Sequence, residues 1–228
     1  MNKKGTVIAI IIKSVAIVLI VIGVLLNFFQ NGDFMAGSKS LLYFTIQSNI
    51  LAAIISAVGL FFDVQKLRGK QRPSNDIFNY FKLVATTGVT LTLIVFWTLL
   101  TSMVPPSYLY SVSNLTLHTL VPILVLLDYI FFTDNFKPKK RMIAITWSFP
   151  LFYFAFAMIL SLFEVQFSSG THVPYFFLDY EKYGWFKISS DAIGVFYWVV
   201  IILILVYAIG FGVHSLNQVR TKYKKTDS

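Results

Sequence analysis

The chain has no cysteine. Disulfides, thiolate catalysis and cysteine-held metal or iron–sulfur centres are therefore excluded. Charge is scarce as well: only 13% of the 228 residues are Asp, Glu, Lys or Arg. A soluble domain of this length needs a far more charged surface. No soluble domain, low-complexity tract or internal repeat is evident. Histidine is rare too, with three in the chain, His118, His172 and His214.

What is there is apolar. Hydrophobic residues make up 57% of the chain and the mean hydropathy is +0.72. Long uncharged runs recur from end to end, which is the pattern of a polytopic membrane protein. The runs are continuous and do not alternate, so helices are expected, not a barrel. The reading is all-α: one integral membrane domain over 1–228, with helices at about 5–27, 40–62, 79–103, 112–133, 141–163 and 190–213. Each is long enough for a hydrocarbon core of about 30 Å. The first run follows Lys3 and Lys4 and lacks a small-residue cleavage site, so it reads as a retained helix.

The net charge of +9 sits in the loops. Lys3, Lys4, Lys66, Arg68, Lys70, Arg72, Lys137, Lys139, Lys140, Arg141, Arg220, Lys222, Lys224 and Lys225 fall on one side. Lys39, Lys182 and Lys187 fall on the other. Fourteen basic residues against three predict cytoplasmic termini and an even number of crossings. A multi-pass protein of the cell membrane follows, with no nucleic-acid partner. Lys13 lies within the first run and is expected to snorkel to the cytoplasmic face. Asp128 is expected to cap the inner end of the fourth helix.

Polar residues inside the runs are the candidates for function. In "YFTIQSNILA" (43–52), Thr45, Ser48, Asn49, Ala52, Ser56 and Gly59 share one helical stripe, while Gln47 points elsewhere. In "SVSNLTLHTLVPILVLLDY" (111–129), Ser111, Asn114 and His118 share a face, with Pro122 one turn on. Both helices enter from the same side. Thr45 is about five residues into its predicted helix and His118 about six, so both lie roughly 8–9 Å deep at ~1.5 Å per residue. A hydroxyl and an imidazole at one depth are the minimum for a base-activated nucleophile. Threonine in membrane helices commonly bonds to its own backbone or joins helices, and a lone histidine can be a structural hydrogen bond. Spacing leaves both readings open.

At these residues the sequence resembles the androgen-induced membrane proteins, a family that includes the androgen-dependent regulator of tissue factor pathway inhibitor. "FTIQSN" and "LHTLVPILVLLDY" carry the likeness. The family's bacterial six-helix branch is the nearer match, and the outer-loop pattern "VPYFFLD" belongs to it. The resemblance implies a membrane-embedded hydrolase of fatty acid esters of hydroxy fatty acids, acting through an intramembrane threonine and histidine. By motif these are Thr45 and His118. A lipid or fatty acyl ester substrate is thereby implied, in a bacterial plasma membrane with the site towards the outer face.

Such a carboxylic ester hydrolase needs no metal and no cofactor, but it needs donors for the tetrahedral oxyanion. Asn49 and Asn114 are the side-chain candidates, with Ser48 behind them. Asp191, at the predicted start of the sixth helix, is a further candidate at the right level, though an acid there also suits the helix dipole. The threonines of the third helix (86, 87, 90, 92, 98 and 101) read as packing and backbone bonding. The long connection 164–189 holds Tyr175, Phe176, Phe177, Tyr180, Tyr183 and Trp185, either an interfacial aromatic belt or a lid. The alternative function is a small transporter or lipid-translocating protein, with the polar stripe as its path and Pro122 marking a broken helix. Against it stand the missing inverted repeat and the missing second intramembrane charge. A haem protein would need a second intramembrane histidine.

Overall fold

A computed structural model of the chain describes residues 3–29, 34–70, 76–133, 136–167, 170–190 and 192–226. Six helices are long and apolar enough to cross a membrane: α1 Lys3–Phe29, α2 Phe44–Leu67, α3 Asp76–Met103, α4 Val112–Phe132, α5 Lys140–Leu162 and α6 Val195–Tyr223. Among the described residues there is no strand, only an isolated bridge between Ile188 and Ile193.

Two boundaries move from their expected places for local reasons. Residues Phe34–Ser40 form a separate short helix, and α2 begins at Phe44 instead of 40. A Cβ on Gly37 would stand 2.1 Å from the Phe28 carbonyl oxygen, so this segment folds back against the end of α1. At the other shift, the N–H groups of Gly194, Val195 and Phe196 bond to the carbonyls of Lys187, Gly184 and Trp185. That tight loop delays α6 to Val195, after which the helix runs on to Thr226.

α3 is the centre of the bundle. In its most apolar stretch 61% of residues are buried, against 22–44% for the other five. Several of its threonines bond to their own backbone, as the sequence suggests. Thr86, Thr90 and Thr98 donate to the carbonyls of Lys82, Thr86 and Ile94, at 2.7–2.8 Å. Polar contacts join the helices elsewhere. Trp147 of α5 donates to Leu203 O of α6 at 2.8 Å. Asn217, fully buried in α6, lies 2.8 Å from the Thr133 carbonyl and 2.9 Å from that of Ile130. It occupies carbonyls that the end of α4 cannot satisfy itself.

The expected stripe on α2 is buried against protein. Ser48, Asn49, Ala52, Ser56 and Gly59 are all enclosed. Its small residues admit the neighbouring helix, as membrane packing requires. A Cβ on Gly59 would stand 3.0 Å from Cε of Lys13. The glycine makes room for that side chain to cross from α1.

Two expectations about charge are corrected here. Lys13 does not snorkel, and Asp128 is no helix cap. Lys13 is 3% exposed and contacts Asp63 Oδ2 at 2.8 Å and also the carboxylate of Asp128. Lys82 contacts Asp128 Oδ2 at 2.8 Å. One charge comes from each of α1, α2, α3 and α4, and the four sum to zero. Isolated charges in lipid are costly, whereas paired and hydrogen-bonded ones can persist. The sequence reading that there is no further intramembrane charge is therefore overturned. The four residues lie well away from the polar end of the stripe: Asp128 is ten residues beyond His118, about 15 Å along the helix axis.

Candidate active site

α2 starts sharply. Tyr43 is extended, with φ −85° and ψ 143°. The first i→i−4 bond is Gln47 N–H to Tyr43 O at 3.2 Å. Thr45 stands in the first turn, ahead of that bond, and not a full turn inside as the sequence suggested. There the backbone N–H groups point out of the helix and its dipole is positive.

His118 is carried by a widened turn of α4. Pro122 has no N–H, and its ring crowds the carbonyl four residues back, which is that of His118. The helix responds by opening: Val121 N–H bonds to Thr116 O, five residues back, and Thr116–Leu120 form a π turn. Leu117 O then has no helical donor, because its partner across the widened turn would be Pro122. Asn49 Nδ2 fills the gap at 3.2 Å and also lies 2.8 Å from Thr45 O. One amide thus ties the backbone of Thr45 to the backbone next to His118.

The expected pair meets. Thr45 Oγ1 lies 3.1 Å from His118 Nε2. The other ring nitrogen, Nδ1, lies 3.2 Å from the Asn114 carbonyl oxygen. A carbonyl only accepts, so Nδ1 carries the ring proton and Nε2 presents its lone pair to the threonine hydroxyl. A second π turn, Phe96–Leu100 on α3, faces the first. Its Phe96 ring packs on the imidazole with centroids 4.0 Å apart. Trp97 Nε1 donates to Thr119 Oγ1 at 3.0 Å, joining the two widened turns. Among the described residues no carboxylate contacts His118; a backbone carbonyl holds the ring.

The other expected residues do different jobs. Ser48, Asn49 and Asn114 are fully buried and line neither chamber at the site. Ser48 Oγ lies 3.0 Å from Thr45 O and 3.1 Å from Thr92 Oγ1. Both N–H bonds of Asn49 go to carbonyls, as above. Asn114 Nδ2 donates to Leu109 O at 2.8 Å. None of the three faces either chamber: Ser48 bonds towards α3, Asn49 towards α4, and Asn114 to the turn that precedes its own helix. Asp191 lies outside the described residues.

Two chambers meet at the pair. A chamber of about 730 Å³ is lined by Thr45, His118, Asn27, Tyr43, Tyr108 and part of the 164–189 connection. A narrower apolar pocket of about 80 Å³ runs among Phe44, Leu91, Val95, Phe154, Trp198 and Ile202. Thr45, Phe96, Leu100 and Tyr175 line both. The connection tucks Phe177 and Leu178 into the core, while Trp185 and Phe186 stay exposed. Thr171, Tyr175, Asp179 and Tyr183 line the larger chamber, so the roof over the site extends well beyond the first half of the connection.

Tyr175 is the residue that sequence reasoning missed. Its phenol interacts with the side chains of Thr45 and Tyr153. Burial is the main reason its pKa is raised above the usual tyrosine value, so the hydroxyl keeps its proton. Tyr108 is likewise raised by burial, partly offset by a hydrogen bond with Asn27. A tyrosine in a loop full of aromatics offered no periodic signal. The chain matches no protein-family model, no curated protein and no solved structure.

Proposed function

We propose that this protein is an intramembrane lipid ester hydrolase in which Thr45 is the nucleophile and His118 the general acid/base. The observation that carries the reading is the 3.1 Å contact between Thr45 Oγ1 and a histidine nitrogen whose lone pair faces it. Threonine is a poor nucleophile in bulk water and needs such a base, whose contribution is typically 10²–10⁴-fold. A threonine serving only to bond helices would have no reason to line two chambers.

In this reading the steps are as follows. Thr45 Oγ1 attacks the ester carbonyl carbon as its proton passes to His118 Nε2. The carbonyl π pair moves to oxygen, giving a tetrahedral oxyanion. Its collapse breaks the bond to the alcohol oxygen, which takes the proton back from Nε2. A water then attacks the acyl-threonine, His118 again accepts and returns the proton, and the acid leaves. The positive end of α2 favours the transient negative charge near Thr45. The apolar pocket suits an alkyl chain, and the larger chamber suits the other half of the ester. The basic-loop asymmetry supports cytoplasmic termini and a site near the outer leaflet of a bacterial cell membrane.

The rival transporter reading gains one observation, the buried tetrad of Lys13, Asp63, Lys82 and Asp128. Neither chamber at Thr45 reaches it, and its charges are paired to neutrality. The test is labelling of the purified protein by an alkyl fluorophosphonate. Wild type is expected to be modified at Thr45, and Thr45→Ala to be both unlabelled and inactive while still folded. Hydrolysis by well-folded Thr45→Ala protein rejects the nucleophile. Failure of wild type both to label and to cleave long-chain esters rejects the hydrolase.

A further inference from the structure

Resting on the hydrolase reading, we infer that the Tyr175 hydroxyl is the side-chain donor to the oxyanion formed on Thr45. The site as built from its helices lacks one. Ser48, Asn49 and Asn114 are engaged away from the chambers: Ser48 with Thr45 O and Thr92, Asn49 with the carbonyls of Thr45 and Leu117, and Asn114 with Leu109 O. A donor for the oxyanion has to reach the oxygen on the attacked carbon, which sits against Thr45 Oγ1, and has to face the space the substrate fills. Tyr175 meets both conditions: its phenol interacts with the Thr45 side chain, and it lines both chambers at their junction.

Its position is fixed by packing. The ring is stacked on Phe177 at 5.2 Å with 7° between planes, and lies 6.3 Å from the ring of Tyr153. Phe177 is itself buried in the core, so the loop is anchored just behind the tyrosine. Tyr153 gives its own proton to Leu42 O at 3.0 Å. Its oxygen is left as an acceptor, not a rival donor. In the resting protein the Tyr175 phenol interacts with the Phe44 backbone as well as with Thr45 and Tyr153, and its proton turns from these to the substrate oxygen when the chamber is filled. Tyr43 lines only the larger chamber, and Tyr108 is engaged with Asn27.

The role is electrostatic. As Thr45 Oγ1 bonds to carbon and the π pair shifts to oxygen, Tyr175 shares its proton with that oxygen and keeps it. The hydrogen bond strengthens as charge grows and relaxes on collapse. No proton is transferred by Tyr175 in the cycle.

The experiment uses purified full-length protein in detergent, 4-methylumbelliferyl palmitate as substrate, and a palmityl trifluoromethyl ketone that forms a hemiketal oxyanion on the nucleophile. Tyr175→Phe keeps the ring and its stacking. It is expected to lower kcat about a hundredfold, the usual loss for one oxyanion donor. KM should stay within about twofold, and affinity for the ketone should fall in parallel with kcat. Tyr110→Phe, at an exposed tyrosine that lines neither chamber, should change neither by more than about threefold. A merely structural tyrosine predicts loss of kcat with unaltered ketone affinity, and that result overturns the assignment, as does full activity of Tyr175→Phe. Should Tyr175→Phe fail to fold, 3-fluorotyrosine at 175 keeps shape and hydroxyl while making a stronger donor. Tighter ketone binding supports the assignment, and unchanged binding overturns it. Wild type that neither turns over nor binds the ketone removes the hydrolase reading itself, which is a different outcome from active wild type with an indifferent Tyr175.

Discussion

Asn49 Nδ2 lies 3.2 Å from the carbonyl oxygen of Leu117, the acceptor that Pro122 leaves without its helical partner. The same nitrogen lies 2.8 Å from Thr45 O. A proline-induced gap in one helix is thus filled by the amide that also fixes the first turn of another. The distance between Thr45 and His118 depends on this tie. Asn49→Leu removes both bonds and leaves the buried Leu117 carbonyl unsatisfied, at about 1–3 kcal/mol, while Thr45 O keeps Ser48 Oγ. We expect a clear fall in unfolding midpoint together with loss of turnover. A donor to the oxyanion would instead lose turnover at unchanged stability, so a thermal melt in detergent beside the kinetics distinguishes the two roles.

Pro122 is expected to matter for activity more than for folding. Pro122→Ala supplies an N–H to the carbonyl of His118 and removes the steric reason for the π turn. Closing that turn takes one residue out of it and rotates His118 by about 100° relative to the helix below. Even an ångström of misplacement can cost about a hundredfold in rate. The expected result is a stable protein with little activity. Turnover at wild-type rate would mean that the packing of Phe96 and Trp97 holds the wide turn without the proline.

Much of this was legible beforehand, and the reasons differ by residue. The six spans and the buried α2 stripe follow from hydropathy and the helical period, which packing did not override. Thr45 and His118 meet although the residue counts differ: Thr45 is the second residue of α2 and His118 the seventh of α4, so the pairing of polar faces was legible and the depth was not. Asn49 and Asn114 look available in sequence, whereas Asn49 is taken up by a carbonyl of the widened turn and Asn114 by Leu109 O ahead of its helix. Nothing in the pattern announces a π turn except Pro122. Lys13 was read singly, and nothing in the sequence pattern singled out Lys82. Their partners, Asp63 and Asp128, are 50 and 46 residues away respectively, and pairing across such separations carries no local signal.

The tetrad predicts an asymmetry between its two acids. Asp128 contacts both lysines, while Asp63 contacts Lys13 alone. Asp128→Asn leaves two buried lysines facing one carboxylate, and breaking a buried pair in this way typically costs about 3–5 kcal/mol. Asp63→Asn leaves Lys13 still paired with Asp128 and should cost less. Replacing a whole pair, Lys13→Met with Asp63→Leu, should recover much of the loss, because no charge is stranded. Thermal unfolding in detergent gives the ranking. Ester turnover per folded molecule should be unchanged in all three, since the tetrad does not touch the chambers. A turnover that tracks the tetrad's charge, with stability unaffected, would favour the transporter reading over the hydrolase.

The orientation in the membrane is open to a direct test. The fourteen basic residues flanking the helices on the terminal side should remain cytoplasmic, because lysines and arginines in short loops resist translocation. That puts the 164–189 connection, and the roof over Thr45, outside. The absence of cysteine makes the experiment clean, since every thiol signal comes from the introduced residue. Ser189 and Lys70 are both exposed and lie in connections on opposite sides. Ser189→Cys should react with a membrane-impermeant maleimide in intact cells. Lys70→Cys should react only after the cells are opened. Labelling of Lys70→Cys in intact cells would reverse the orientation and turn Thr45 towards the inner leaflet. The Thr45–His118 geometry would stand, but the ester would then have to come from the cytoplasmic side of the bilayer.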